Sequence, residues 1–296
     1  MAWNTAFYGE WIDLGKKSAP SDIQQYNHKS SEGVFTYTAP AMYPDKVSSL
    51  ILPAMLSNIA VVHVTPEYMD YKLGETIVLL DSLKKPGFFA ANDSVAAKLP
   101  AFIKGTSLEK WEVIPDDAIS VKEKVKSFNV APIAGPCRVL VDASFEVRSV
   151  GTVVLGIVTQ GSVSQHDKLT TYPGGQEVMV KSIQKHDEDY KTAEFNDRVG
   201  LALKGTSAEE VPRGTILSAE PIKVADRFPA KLNKSRFFAG AVPRDMHLCV
   251  GMQWVGFHFD GNDAVCAKKI ALHDTIGVVA VQAPPGKLRV VGSLSF

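Results

Sequence analysis

At 296 residues, with 45% hydrophobic and 22% charged residues, the chain has ordinary globular composition and is long enough for two or three domains. Lys plus Arg equals Asp plus Glu at 32 each, which argues against a strongly basic nucleic-acid binder. Three widely spaced cysteines, Cys137, Cys249 and Cys266, argue against a disulfide framework or a zinc site, and no run reaches the roughly 18 apolar residues of a membrane helix.

The first element, Asn4 to Tyr8, reads as a strand and leads into FYGEWIDLGKKS, residues 7–18. This stretch nearly spells a phosphate-binding loop, G-x-x-x-x-G-K-[ST]. Such a loop aims backbone N–H groups and a Lys at phosphates and holds Mg²⁺ with a hydroxyl. Here five residues separate Gly9 from Gly15, and Lys17 stands where the hydroxyl belongs. Lys16 and Lys17 read either as an anion site at a helix start or as two solvated lysines in a turn, and the second reading is the ordinary one.

From Val34 to Phe128 short apolar runs alternate with helical patterns, as in a parallel sheet covered by helices. Strands are predicted at Val34–Thr38, Ile59–Thr65, Gly87–Ala91 and Trp111–Ile114. Helices are predicted at Asp45–Ser57, Gly74–Lys84, Ser94–Ile103 with Ser94 as cap, and Ile119–Phe128. APIAGP, residues 131–136, reads as a linker. After it, β-branched runs such as GTVVLGIVTQGSV predict antiparallel β structure with no helix, including turns at Asp260-Gly261-Asn262 and Pro284-Pro285-Gly286. The acidic cluster His186-Asp187-Glu188-Asp189 reads as a solvated hairpin connection rather than a metal site, and His258 beside Asp260 and Asp263 as part of a turn.

Four segments carry a family resemblance: Gly151 to Gly156, Val180 to Ile183, Asn196 to Leu201, and the pair Arg213-Gly214. Their order and spacing resemble the barrel that follows the GTPase domain in elongation factors of the EF-Tu and SelB type, and Met246 to Gln253 resembles a strand of the third domain of those factors. The resemblance spans the chain and is strongest to SelB-like paralogues of methanogenic archaea. It implies a degenerate P-loop GTPase-type α/β domain over residues 1–128, followed by two antiparallel β-barrels at 137–221 and 222–296, the last one shortened. It also implies a cytoplasmic protein of translation, in keeping with the absence of a basic, apolar leader.

The resemblance also says which residues a working factor would need. The D-x-P-G-H motif should fall in VFTYTAPAMYP, residues 34–44, which contains no Asp, Gly or His. In the N-K-x-D motif only Asn92 survives, with Val95 replacing the carboxylate that reads guanine. The final S-A motif is Ile114-Pro115. The strand that should contribute Arg and Glu to the aminoacyl pocket is Gly156-Ile157-Val158-Thr159-Gln160-Gly161. Gly9, Gly15, Lys16, Lys17 and Asn92 are therefore read as a vestigial nucleotide crevice. No catalytic residue, cofactor, metal or GTP binding is expected.

Residues 223–296 carry 10 basic against 5 acidic residues, which places candidate RNA contacts at Lys231, Lys234 and Arg236. Arg213 joins them as a fourth candidate, with pairing to Glu209 or Glu210 as its structural alternative. The expected function is that of a non-catalytic binding protein whose partner is tRNA, the ribosome or a protein. The alternative is a GTP-dependent factor delivering aminoacyl-tRNA.

Overall fold

The computed structural model describes residues 1–18 and 21–296. They form two compact units, one of Met1–Val130, Ala230–Cys249 and Ile276–Phe296, the other of Ala131–Pro229 and Val250–Thr275. Residues 222–296 contribute to both.

The first unit opens with β1 (Ala2–Gly9), β2 (Lys16–Lys17), β3 (Ile23–Ser30), β4 (Gly33–Pro40), α1 (Val47–Leu56), β5 (Ile59–His63), α2 (Tyr71–Leu83), β6 (Gly87–Ala90), α3 (Asp93–Ala96), α4 (Leu99–Ile103), β7 (Val113–Ile114) and α5 (Ala118–Lys126). The sheet order is β2-β3-β4-β1-β5-β6-β7. From β4 to β7 all pairs are parallel, whereas β3 runs antiparallel to β4. Central strands buried on both faces explain the near-continuous apolar runs of β1 and β5. One face packs Phe7, Phe35, Val61 and Phe88 against Val121 and Val125 of α5. On the other, the Tyr8 hydroxyl donates to the Leu50 carbonyl of α1 at 3.1 Å.

Two departures from the sequence reading have local causes. β3, IQQYNHKS, was not anticipated, because a polar strand near the sheet edge lacks the apolar signature of the central strands. The helix predicted at Ser94–Ile103 breaks into α3 and α4, with Pro100 in the first turn of α4. The cap is Asn92 rather than Ser94, since its Oδ1 accepts from the Val95 N–H at 3.1 Å.

After α5 the described chain contains strands and no helix. They are β8 (Arg138–Val147), β9 (Gly151–Gln160), β10 (Ser162–Ser164), β11 (Lys168–Tyr172), β12 (Glu177–Lys185), β13 (Glu188–Tyr190), β14 (Thr192–Glu194), β15 (Arg198–Lys204), β16 (Ile216–Ser218) and β17 (Val224–Pro229). Then come β18 (Lys231–Lys234), β19 (Met246–Val250), β20 (Gln253–Asp260), β21 (Asp263–Ala271), β22 (Ile276–Ala280) and β23 (Val290–Ser295).

In the second unit, β11-β16-β8-β9-β15-β12 closes on itself through a β11–β12 pairing, which makes an antiparallel barrel filled by Val139, Val141, Val154, Val180, Leu201 and Leu217. Gly156 is required there, because a Cβ would stand 2.4 Å from the Leu140 carbonyl oxygen of the neighbouring strand. His186 and Asp187, with φ of 52° and 65°, form the two-residue turn between β12 and β13. Gly261 and Asn262 form the turn between β20 and β21. The remaining strands of the first unit run in the order β19-β22-β23-β18, with α2 packed on β22 and β23. No helix among the described residues is long and apolar enough to cross a membrane.

Candidate functional site

In a parallel sheet of this kind ligands sit beyond the carboxyl ends of the strands, near the point where the strand order reverses. That point lies at β1, and Gly9 is its last residue. Gly9 has φ +93°, and a Cβ there would lie 1.8 Å from the His63 carbonyl oxygen at the end of β5. The chain can turn here only because the side chain is absent.

Past Gly9, Trp11, Ile12 and Leu14 pack onto the sheet face that α5 also covers. Trp11 stacks on Tyr26 of β3 at 3.5 Å between ring centroids and 15° between planes, and meets the edge of Phe7 at 5.0 Å. Gly15 then lets the chain press against β3, since a Cβ would stand 2.6 Å from the Asn27 carbonyl oxygen. Lys16 and Lys17 pair antiparallel with Asn27 and Tyr26. The helix start considered for these lysines is thus replaced by a two-residue edge strand with both side chains exposed. Among the described residues, no helix lies between β1 and β3.

His63, at the carboxyl end of β5, belongs to this place and was read from sequence only as a strand residue. It is 6% exposed; its Nδ1 lies 2.6 Å from the Glu10 carbonyl oxygen and its Nε2 3.8 Å from Asp116 Oδ2. No sequence signal distinguishes it from an ordinary buried histidine. Asn92 uses its side chain as the α3 cap and also accepts from the Ser94 hydroxyl at 2.8 Å. Val95 is 1% exposed, packed inward as an apolar residue. The segment 34–44 is held too: Met42 N–H donates to the Ser49 hydroxyl at 2.9 Å, and the Pro44 carbonyl accepts from Arg289 at 2.6 Å.

The basic candidates are not one free surface. Lys231 is exposed on β18, whereas Lys234 Nζ donates to the Gly240 carbonyl at 2.7 Å. Arg236 donates to the Lys104 carbonyl and lies 4.6 Å from the Phe237 ring centroid. Arg227, in the second unit, is paired with Asp260 and Asp263. Arg213 is also in the second unit, and its Nε donates to the Asp142 backbone carbonyl at 2.8 Å. The expected Glu210 partner is occupied elsewhere, accepting from the Ser207 N–H at 2.8 Å, a bond that holds its carboxyl below the usual range. The three thiols are buried, and burial pushes Cys137 and Cys249 up to about 12 and Cys266 up to about 11, which makes them poor nucleophiles.

An α/β sheet of this strand order together with a closed antiparallel barrel defines the elongation-factor architecture. Residues 151–218 match the family Elongation factor Tu domain 2. The chain is 37% identical over 248 residues to an uncharacterized protein of Methanocaldococcus jannaschii, covering 82% of this chain and 80% of that one. To the selenocysteine-specific elongation factor of the same organism it is 36% identical over 140 residues, 46% of this chain and 28% of that one. Its fold is similar to that of translation elongation factor SelB from Methanococcus maripaludis. The apo form gives a TM-score of 0.79 at 20% identity over 100% of this chain and 79% of that one. The complex with the GTP analogue GPPNHP gives 0.80 at 22% over 98% and 78%. Over most of its length the chain shares one family with the M. jannaschii protein, and through residues 151–218 it is a relative of the EF-Tu- and SelB-type elongation factors.

Proposed function

We propose that this chain is an elongation-factor relative that has given up guanine-nucleotide chemistry and acts as a non-catalytic binding protein in translation, its partner being tRNA, the ribosome or a protein. The observation that carries this reading is the path from β1 to β3. A phosphate site needs a nest of free N–H groups at a helix start. Here Trp11, Ile12 and Leu14 fill the sheet face and the chain continues as an edge strand. The residues present do not fit a guanine nucleotide with Mg²⁺. Segment 34–44 supplies no carboxylate, and Val95 offers no acceptor to guanine, a loss that a hydrogen-bonding site penalises heavily. Lys231 is then the exposed cation of the three, with Lys234 and Arg236 already donating to main-chain carbonyls, so any RNA contact there would be to phosphate without base reading.

Calorimetric titration with GTP and GDP in Mg²⁺ tests the reading. No binding up to about millimolar nucleotide is expected, and a micromolar dissociation constant would favour a working GTPase instead. The RNA part is tested separately by replacing Lys231, Lys234 and Arg236 with Gln and measuring tRNA binding against salt. An unchanged affinity and salt slope removes that surface.

A further inference from the structure

Apart from the strand ends, the first unit contains a cleft of 390 Å³ lined by Tyr71, Gly74, Val78, Phe102, Phe237 and Leu288. Tyr71, Phe102 and Phe237 are 37, 38 and 41% exposed, so three large apolar side chains stand together in solvent around one concavity. Gly74 deepens it. A glycine inside a helix costs about 1 kcal/mol relative to Ala, yet a Cβ on Gly74 would meet nothing within 4 Å. The protein's own packing gives no reason for the glycine, and its effect is to keep the floor of the cleft open.

Three exposed cations flank the lining residues: Arg236, whose guanidinium lies 4.6 Å from the Phe237 ring centroid and donates to the Lys104 carbonyl, Lys104 itself, two residues from Phe102, and Lys287, between Gly286 and Leu288 in sequence. Lys72, beside Tyr71, is already paired with Asp70 at 3.6 Å. The acids nearby are engaged: Glu75 with Arg289, and Glu109 with the Gly105 N–H at 2.6 Å. Lys104, Arg236 and Lys287 form no ion pair among the described residues.

We propose that this cleft docks an acidic, amphipathic peptide segment of a partner protein, its apolar side chains seated among Tyr71, Phe102 and Phe237 and its carboxylates facing Lys104, Arg236 and Lys287. An aliphatic wall of Val78 and Leu288 over a glycine floor suits a branched or aromatic anchor side chain better than a phosphate backbone. The assignment goes beyond the loss of nucleotide chemistry and does not depend on it.

Fluorescence anisotropy of the full chain with a labelled peptide of about 15 residues tests it, the peptide carrying Leu and Phe on one helical face and Glu on the other. Saturable binding is expected. Gly74→Leu should weaken it at least about tenfold while leaving the melting temperature at or above that of the unmodified chain. Lys104→Glu combined with Lys287→Glu should weaken it similarly, and a peptide with Lys in place of Glu should not compete. Absence of binding, an affinity in either variant unchanged from that of the unmodified chain, or equally effective competition by single-stranded RNA overturns the proposal. GTP titration of the same samples reads the nucleotide question independently.

Discussion

Arg289 holds Glu75 at three points: its backbone N–H reaches Oε1 at 2.6 Å, its Nη2 reaches Oε2 at 2.7 Å and its Nε reaches Oε1 at 3.3 Å. Both residues are within 2% of full burial. The remaining Nη1 donates to the Pro44 carbonyl, and the guanidinium lies 5.4 Å from the Tyr43 ring centroid. One side chain therefore joins α2, the loop after β4 and the segment leading into β23. Removing one partner of such a pair leaves a buried charge. Arg289→Met should cost about 3–5 kcal/mol, whereas Arg289→Met with Glu75→Leu should recover most of the loss. Urea denaturation of the three proteins checks this, and equal stability of the single and double variants would refute it.

Two glycines should respond with opposite sign. At Gly9 a methyl group would collide with the His63 carbonyl in a backbone conformation that side chains avoid. Gly9→Ala is expected to destabilise by about 3 kcal/mol. At Gly74 the backbone is helical and the space open, so Gly74→Ala should stabilise by about 1 kcal/mol. Thermal melts of both variants decide, and a shift in the same direction would contradict the geometry.

Trp11 covers part of the sheet face that α5 also covers. Trp11→Ala should lower stability by about 2–3 kcal/mol, less than for a fully buried aromatic because the ring is half-exposed. It should not create nucleotide affinity, since the deletion adds neither a helix start nor a carboxylate. GDP binding by the variant would show the tryptophan to be a plug over an intact site.

Acid should weaken the fold before carboxylates titrate. Burial lowers His28, His247 and His273 below the ordinary value of 6.5, with Lys122 and Lys126 adding to the effect at His28. A depressed value in the folded state means that the unfolded chain takes up more protons, so stability present above pH 6.5 is lost as pH falls through that value. The melting temperature should drop between about pH 7.5 and 5.5, with a shallower drop for His273→Gln. A flat profile over that range would show that these rings are not penalised by burial.

Much of the architecture was legible because its determinants are local. The apolar runs of β5 and β6, the helical spacing of α2 and the Gly-bounded strands of the barrel each carry their own period. β3 escaped because its polar residues have no such period and its pairing is set by β4. At the strand ends, the failed spacing between Gly9 and Gly15 was visible, but what replaces the loop was not. Trp11 finds Tyr26 only after β3 has folded back, and His63 gives no warning in IAVVHVT. One acceptor of Arg213 was illegible for a related reason: it is a main-chain carbonyl 71 residues away in sequence.

The Glu75–Arg289 pair spans 214 residues of sequence. At typical synthesis rates of about 5–20 residues per second, the carboxylate leaves the ribosome some 10–40 s before the guanidinium that neutralises it. During that interval, burying the inner face of α2 would strand the Glu75 carboxylate or force it to take up a proton, which penalises closure of the α/β segment until the far end of the chain arrives. A nascent protein that is slow to close its first-made part is exposed to chaperones and proteases for just that time, and a fragment ending before Arg289 would carry the penalty throughout its life.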